Sequence, residues 1–172
     1  WFGTDLRCGS CEVAPRVEQV VQDGSEPWSV SGVARSEASA VPVTDGRPVY
    51  GGTPSDTSVL EAIAAMQAAG QRVMFYPFIL MEQLAGNGLV DPWTGAPDQP
   101  SLPWRGRITT GMAPGQTGSP DGTAAAEAEV AAFFGTATAG EFAVVGDGVS
   151  YTGSDGFSYR RFILHYAHLC AL

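Results

Sequence analysis

The 172 residues suit a single domain able to bury roughly two-thirds of the surface of its unfolded chain. Nine arginines and no lysine face eighteen carboxylates, and the net charge of −9 argues against a nucleic-acid partner, whose phosphates it would repel. No apolar run approaches the ~18–20 residues needed to cross a bilayer, and no basic, apolar leader opens the chain, so membrane insertion is not expected.

Trp1-Phe2-Gly3 reads as the tail of a strand. Cys8-Gly-Ser-Cys11 has the spacing of a redox pair, but that chemistry needs a helix starting at the first cysteine, and Pro15 would break it. Two ordinary thiols are the simpler reading, with a local disulfide left open. Residues 4–54 are turn-rich, with short alternating stretches near Trp28–Val33 and Ala40–Val43 that read as brief strands.

Gly-Gly-Thr-Pro-Ser-Asp (51–56) leads into a helix over 57–69 with Ser55 or Asp56 as N-cap. Val59, Leu60, Ile63 and Met66 recur at helical spacing and predict one buried face. Gly70 fits the left-handed position beyond its end. Arg72–Met81 is an almost unbroken apolar run, the pattern of a strand buried on both faces of a parallel sheet. Pro77 belongs near its end.

Between Gly86 and Gly122 lie six prolines and eight glycines, with Trp93, Trp104 and Arg105 among them. A loop this long is functional more often than incidental. Thr123–Phe134 reads as a second helix ended by Gly135. Gly-Asp-Gly (146–148) joins two strands into a hairpin. Phe157–Leu172 forms a third helix with Phe162, Ile163, Tyr166, Leu169 and Cys170 inward. Strands alternating with helices across short joints predict the α/β class, as a parallel open sheet or a (β/α) barrel.

In a barrel the chemistry gathers at the C-terminal strand ends. There Asp5 and Glu82 are the candidate carboxylates for general acid and nucleophile in sugar hydrolysis. Arg7, Tyr76, Trp93, Trp104 and Arg105 are the candidate ligand contacts, since indole faces stack on pyranose rings and guanidinium groups bond hydroxyls. Solvated loop carboxylates and loop-pinning tryptophans are the plain alternatives. Cys8, Cys11, His165 and His168 would supply a zinc ligand set, but the two pairs are far apart in sequence and His165 sits among apolar residues. No P-loop, dinucleotide fingerprint, nucleophile elbow or EF-hand loop appears, so neither cofactor nor metal is expected.

W-F-G-T-D-L-R-C-G (1–9), Y-G-G-T-P-S-D (50–56), V-M-F-Y-P-F-I-L-M (73–81), P-W-R-G-R-I-T (103–109) and Y-R-R-F-I-L-H-Y-A-H-L-C-A (159–171) form an ordered set. Together they resemble the glycoside-hydrolase TIM-barrel-like domain of the tail megatron protein of gene transfer agents and related tailed phages. The resemblance implies a partial (β/α) TIM-barrel-like domain over 1–172, truncated at both ends, with a long Pro/Gly-rich loop and a β-hairpin. It implies a module of a tail tip or baseplate, made in the bacterial cytoplasm and carried on the particle. Its partners would be other tail-tip proteins, the rest of its parent chain and bacterial surface glycan. The segment bearing the family's natural candidate acid would lie beyond Leu172, so no catalytic glutamate carries over, and Asp5, Arg7 and Tyr76 carry over only as positions at the barrel mouth. Glycan recognition and assembly is the leading expectation, with this fragment inactive alone. The alternative is an active hydrolase of peptidoglycan or capsular polysaccharide. Open barrel edges would favour self-association.

Overall fold

A computed structural model describes residues 1–20, 27–103 and 107–172. In chain order the strands and helices are β1 (Phe2–Gly3), β2 (Val13–Ala14), β3 (Ser29–Val30), β4 (Val33–Ala34), β5 (Val43–Thr44), β6 (Arg47–Pro48), α1 (Asp56–Ala68), β7 (Leu80–Met81), α2 (Ala124–Phe134), β8 (Phe142–Val145), β9 (Gly148–Tyr151) and α3 (Tyr159–Leu169). Short 3-10 turns occupy Cys8–Ser10 and Ala139–Glu141. The chain divides into two compact units, one of residues 1–14, 78–136 and 155–160, the other of residues 15–77, 137–154 and 161–172.

The expected partial TIM barrel is not what the chain forms. Among the described residues the strands are two to four residues long and lie in sheets of two or three. Most pairings are antiparallel, and no sheet closes on itself. The run 72–81 shows why. Only Leu80–Met81 pairs as a strand, while Met74 is 92% and Tyr76 68% exposed. A strand of a barrel must be covered on both faces, and here alternate side chains stand in solvent. Pro77, which has no N–H to give, lies inside the unpaired part.

In the first unit, β1 is central. It pairs antiparallel with β2 and parallel with β7, with Gly3 opposite both Val13 and Met81. Gly3 leaves no room for a side chain, since a Cβ there would sit 2.8 Å from the Met81 sulfur. Phe2, Val13 and Met81 are fully buried around this seam. Beyond β1 the chain makes a parallel bridge from Arg7 to Thr109. Helix α2, capped by Thr123 and ended by Gly135 at φ 70°, packs on the Cys8–Ser10 turn. Gly9 permits this, because a Cβ would come 2.9 Å from Cγ of Glu129.

In the second unit, two-residue turns with positive φ at Ser31-Gly32 and Asp45-Gly46 close the β3–β4 and β5–β6 hairpins. The turn Gly146-Asp147 closes β8–β9. Ser55 caps α1, its hydroxyl accepting from the Ser58 N–H. Helix α1 packs against β3 and β9, and its buried residues, Asp56 and Val59, lie at its start. The expected buried stripe on this helix is therefore short: Val59 is buried, Leu60 and Ile63 are half-buried, and Met66 is exposed. Phe162, His165, Tyr166 and Leu169 of α3 are buried at helical spacing. Ile163 is 40% exposed, and Cys170, expected inside, lies just past the last helical turn and is exposed.

Candidate functional site

The first unit holds a network built on Asp5. The Asp5 carboxylate accepts from the Arg7 backbone N–H (2.8 Å) and from Arg7 Nε (3.0 and 3.2 Å) and Nη2 (2.7 Å). It also accepts from Gln99 Nε2 at 2.7 Å. The chain bends at Leu6 and the Arg7 N–H and guanidinium both reach the carboxylate two residues earlier, so D-x-R closes on itself as a forked pair. Burial pushes the Asp5 carboxyl up, but the bonds from Arg7 and Gln99 outweigh it and hold its pKa below 3.8. A carboxylate in that state stays ionised and makes a poor general acid.

Gln99 comes from the long loop and had no signal in the sequence. Its Nε2 also donates to Val90 O (3.1 Å), and its Oε1 accepts from the Leu6 N–H (3.0 Å). Asn87 holds it in place. The Asn87 amide donates to the carbonyls of Leu84 and Gln99 and accepts from the N–H groups of Leu89 and Gln99. Asp91 folds the adjoining segment, taking the Trp93 N–H (2.9 Å) and the Thr94 hydroxyl (2.8 Å). Gln83, just past β7, is buried at 4% exposure, and neither atom of its amide has a hydrogen-bond partner among the described residues.

Trp93 is half-buried. Its indole N–H donates to Arg107 O (3.0 Å), and the Arg107 guanidinium lies 4.1 Å over its ring. One face of the indole is thus covered by cation–π contact. Trp104 and Arg105 lie outside the described residues. The hydrogen-bond partners of the Asp5 carboxylate are Arg7 and Gln99, while Glu82 follows β7, its N–H bonded to Gly3 O at 3.2 Å. Tyr76 belongs to the second unit and stands in solvent.

The thiols are not a redox couple. Cys8, Cys11 and Cys170 are all free. Burial raises the Cys11 pKa to about 11. Burial and the charge of Glu129 raise that of Cys8. A redox site lowers a thiol pKa, so this environment works against one.

The second unit centres on Asp56 at the start of α1. Its Oδ2 accepts from the Val149 N–H at 3.1 Å and the Ser31 N–H at 3.4 Å, and its Oδ1 lies 3.0 Å from Nε2 of the fully buried His165. One carboxylate thereby joins two hairpins and two helices. His168 turns away, its Nδ1 2.7 Å from Leu164 O and its ring stacked on Phe142. No grouping of three metal-ligating residues occurs among the described residues. Beside α1 lies a cleft of about 370 Å³ whose wall includes Trp28, Arg35, Gly51 and Ser55.

Compared with known proteins, the chain matches no family model, no curated protein and no solved structure.

Proposed function

We propose that this chain is a module of a phage-like tail tip that contacts bacterial surface glycan, by binding and without hydrolysing it. The placement on a tail particle, and its partnership with other tail-tip proteins, rest on the five ordered sequence segments alone. They do not rest on a barrel, which the chain does not form. The observation that favours binding over hydrolysis is the state of Asp5. Both of its oxygens are committed to Arg7 and Gln99, and those bonds hold its pKa below the usual value, against a role as proton donor. Glycoside hydrolysis needs two carboxyl groups across the scissile bond, roughly 5–9.5 Å apart, one of them able to give a proton. Asp5 instead ties Arg7 to Gln99 of the long loop. Trp93 and the solvent-exposed Tyr76 supply the flat apolar faces that sugar rings favour, each within its own unit.

The test is co-sedimentation of the purified chain with bacterial sacculi and with capsular polysaccharide, assaying released reducing ends in the same tubes. The expected result is retention without release, with retention reduced about tenfold by Trp93→Ala or Tyr76→Ala, the loss of one aromatic contact of about 1.4 kcal/mol. Release that vanishes in Glu82→Gln would make the protein a hydrolase and overturn the reading.

A further inference from the structure

The cleft beside α1 belongs to the second unit and is separate from the Asp5 network. Its size, about 370 Å³, falls in the range of small-ligand pockets, roughly 300–1,000 Å³. Trp28 gives it an apolar wall, with the indole N–H already donated to Thr53 O at 2.7 Å. Ser55 and Ser58 add two hydroxyls, 2.8 Å apart and bonded to each other. Gly52 has φ +81° and sits so close to the 16–18 segment that a Cβ would meet Glu18 N at 2.9 Å. This fixes the Gly51-Gly52 backbone along the rim.

Arg35 is the anomaly in this wall. Its Nη1 donates to Glu18 O at 3.0 Å. Its Nε is buried and has no hydrogen-bond partner, and no carboxylate pairs with the guanidinium among the described residues. In a chain with twice as many carboxylates as arginines, a half-buried arginine with no carboxylate paired to it among the described residues is unusual. A guanidinium lining a cleft matches a carboxylate there, which accepts charge-assisted N–H bonds.

We propose that this cleft binds a carboxylate-bearing sugar unit, of the uronic acid type, with Arg35 on the carboxylate, Ser55 and Ser58 at ring hydroxyls and Trp28 against the apolar ring face. The assignment rests on the glycan-contact reading above and names the substrate class for it. The net charge of −9 repels acidic polymers at long range, so recognition depends on this local cation.

The experiment titrates the whole chain calorimetrically with galacturonate, with galactose and with acetate. Galacturonate is expected to bind in the millimolar range, and the neutral hexose and bare acetate at least about tenfold more weakly. Arg35→Met should weaken galacturonate binding roughly ten- to a hundredfold, the worth of a charge-assisted bond. Gly51→Leu offers a second route. Gly51 lines the cleft, a Cβ there meets nothing within 4 Å and its φ is not positive, so a leucine crowds the cleft wall without straining the fold. It should abolish binding while thermal unfolding stays unchanged. Equal binding of acetate, or galacturonate binding that survives Gly51→Leu in a folded protein, would overturn the proposal. Galacturonate binding at Arg35 with no retention on any surface polymer would leave the cleft standing and sink the glycan-contact reading. Retention on polymers that is indifferent to Arg35→Met and Gly51→Leu would do the reverse.

Discussion

Asp5 and Arg7 stand two residues apart and bond each other in a fork, so the stability they lend depends on acid. The folded carboxyl has its pKa held below 3.8. Its contribution is therefore complete above that value and is lost as pH falls through the lower folded pKa. Asp5→Asn should cost about 2 kcal/mol at neutral pH, given several charge-assisted bonds to a buried group. In denaturant melts of the two proteins the difference should shrink once pH drops below 3.8. A gap that stays constant into acid would mean that the ionised pair is not its source. Gln83 works the other way. An amide buried with no hydrogen-bond partner among the described residues forfeits its hydration, so Gln83→Met, similar in shape and apolar, should raise stability by about 1–2 kcal/mol. A loss of stability would reveal a partner for that amide. Asp5 and Arg7 stood out in the sequence as separate candidates, a carboxylate and a ligand contact, and only the structure joins them. Gln99 and Asn87 did not stand out, since an amide carries no signature and their targets lie up to 94 residues away.

At the scale of elements, the sequence was read best where local chemistry decides. Ser55, Thr123, Gly70 and Gly135 mark helix ends in the sequence and in the fold alike, through hydroxyl caps and left-handed glycines. The Gly-Asp turn of the β8–β9 hairpin was equally plain. The run 72–81 misled because hydrophobicity reports a wish for burial and not its fulfilment: the tertiary partners that a barrel strand needs are not there, and only its last two residues pair. Asp56 is the reverse case, a helix-start residue whose wider role needed the structure. It receives N–H groups from β9 and from the β3–β4 turn and touches His165 of α3. Asp56→Ala would strand two buried amides and a buried imidazole at once, and should cost about 3–5 kcal/mol, enough to unfold many domains of this size. If urea melts show less than about 1 kcal/mol, the carboxylate is not the organiser of its unit.

For the molecule as a whole, exposed apolar side chains set the behaviour in solution. Met74, Tyr76, Val144 and Val145 are all more than half exposed, and short unpaired strand edges accompany them. Copies of the chain are expected to associate as concentration rises. Because each carries −9, association should strengthen with added salt, which screens the repulsion over a Debye length of about 10 Å at 0.1 M. Sedimentation velocity across a concentration series at two salt levels measures this, and a single monomer species throughout would rule the association out. One small feature bears on how long the chain lasts. Asn87 precedes Gly88, the pairing most prone to spontaneous loss of the side-chain amide, which begins when the glycine nitrogen attacks the asparagine carbonyl. In the fold that nitrogen is held by Asp98 at 2.6 Å, and the Asn87 amide is bound on both sides. The loop that presents Gln99 to Asp5 is thus also a chemical preservative: the chain should age at Asn87 only when that loop opens, and the deamidated fraction, read by mass spectrometry, becomes a clock of its opening.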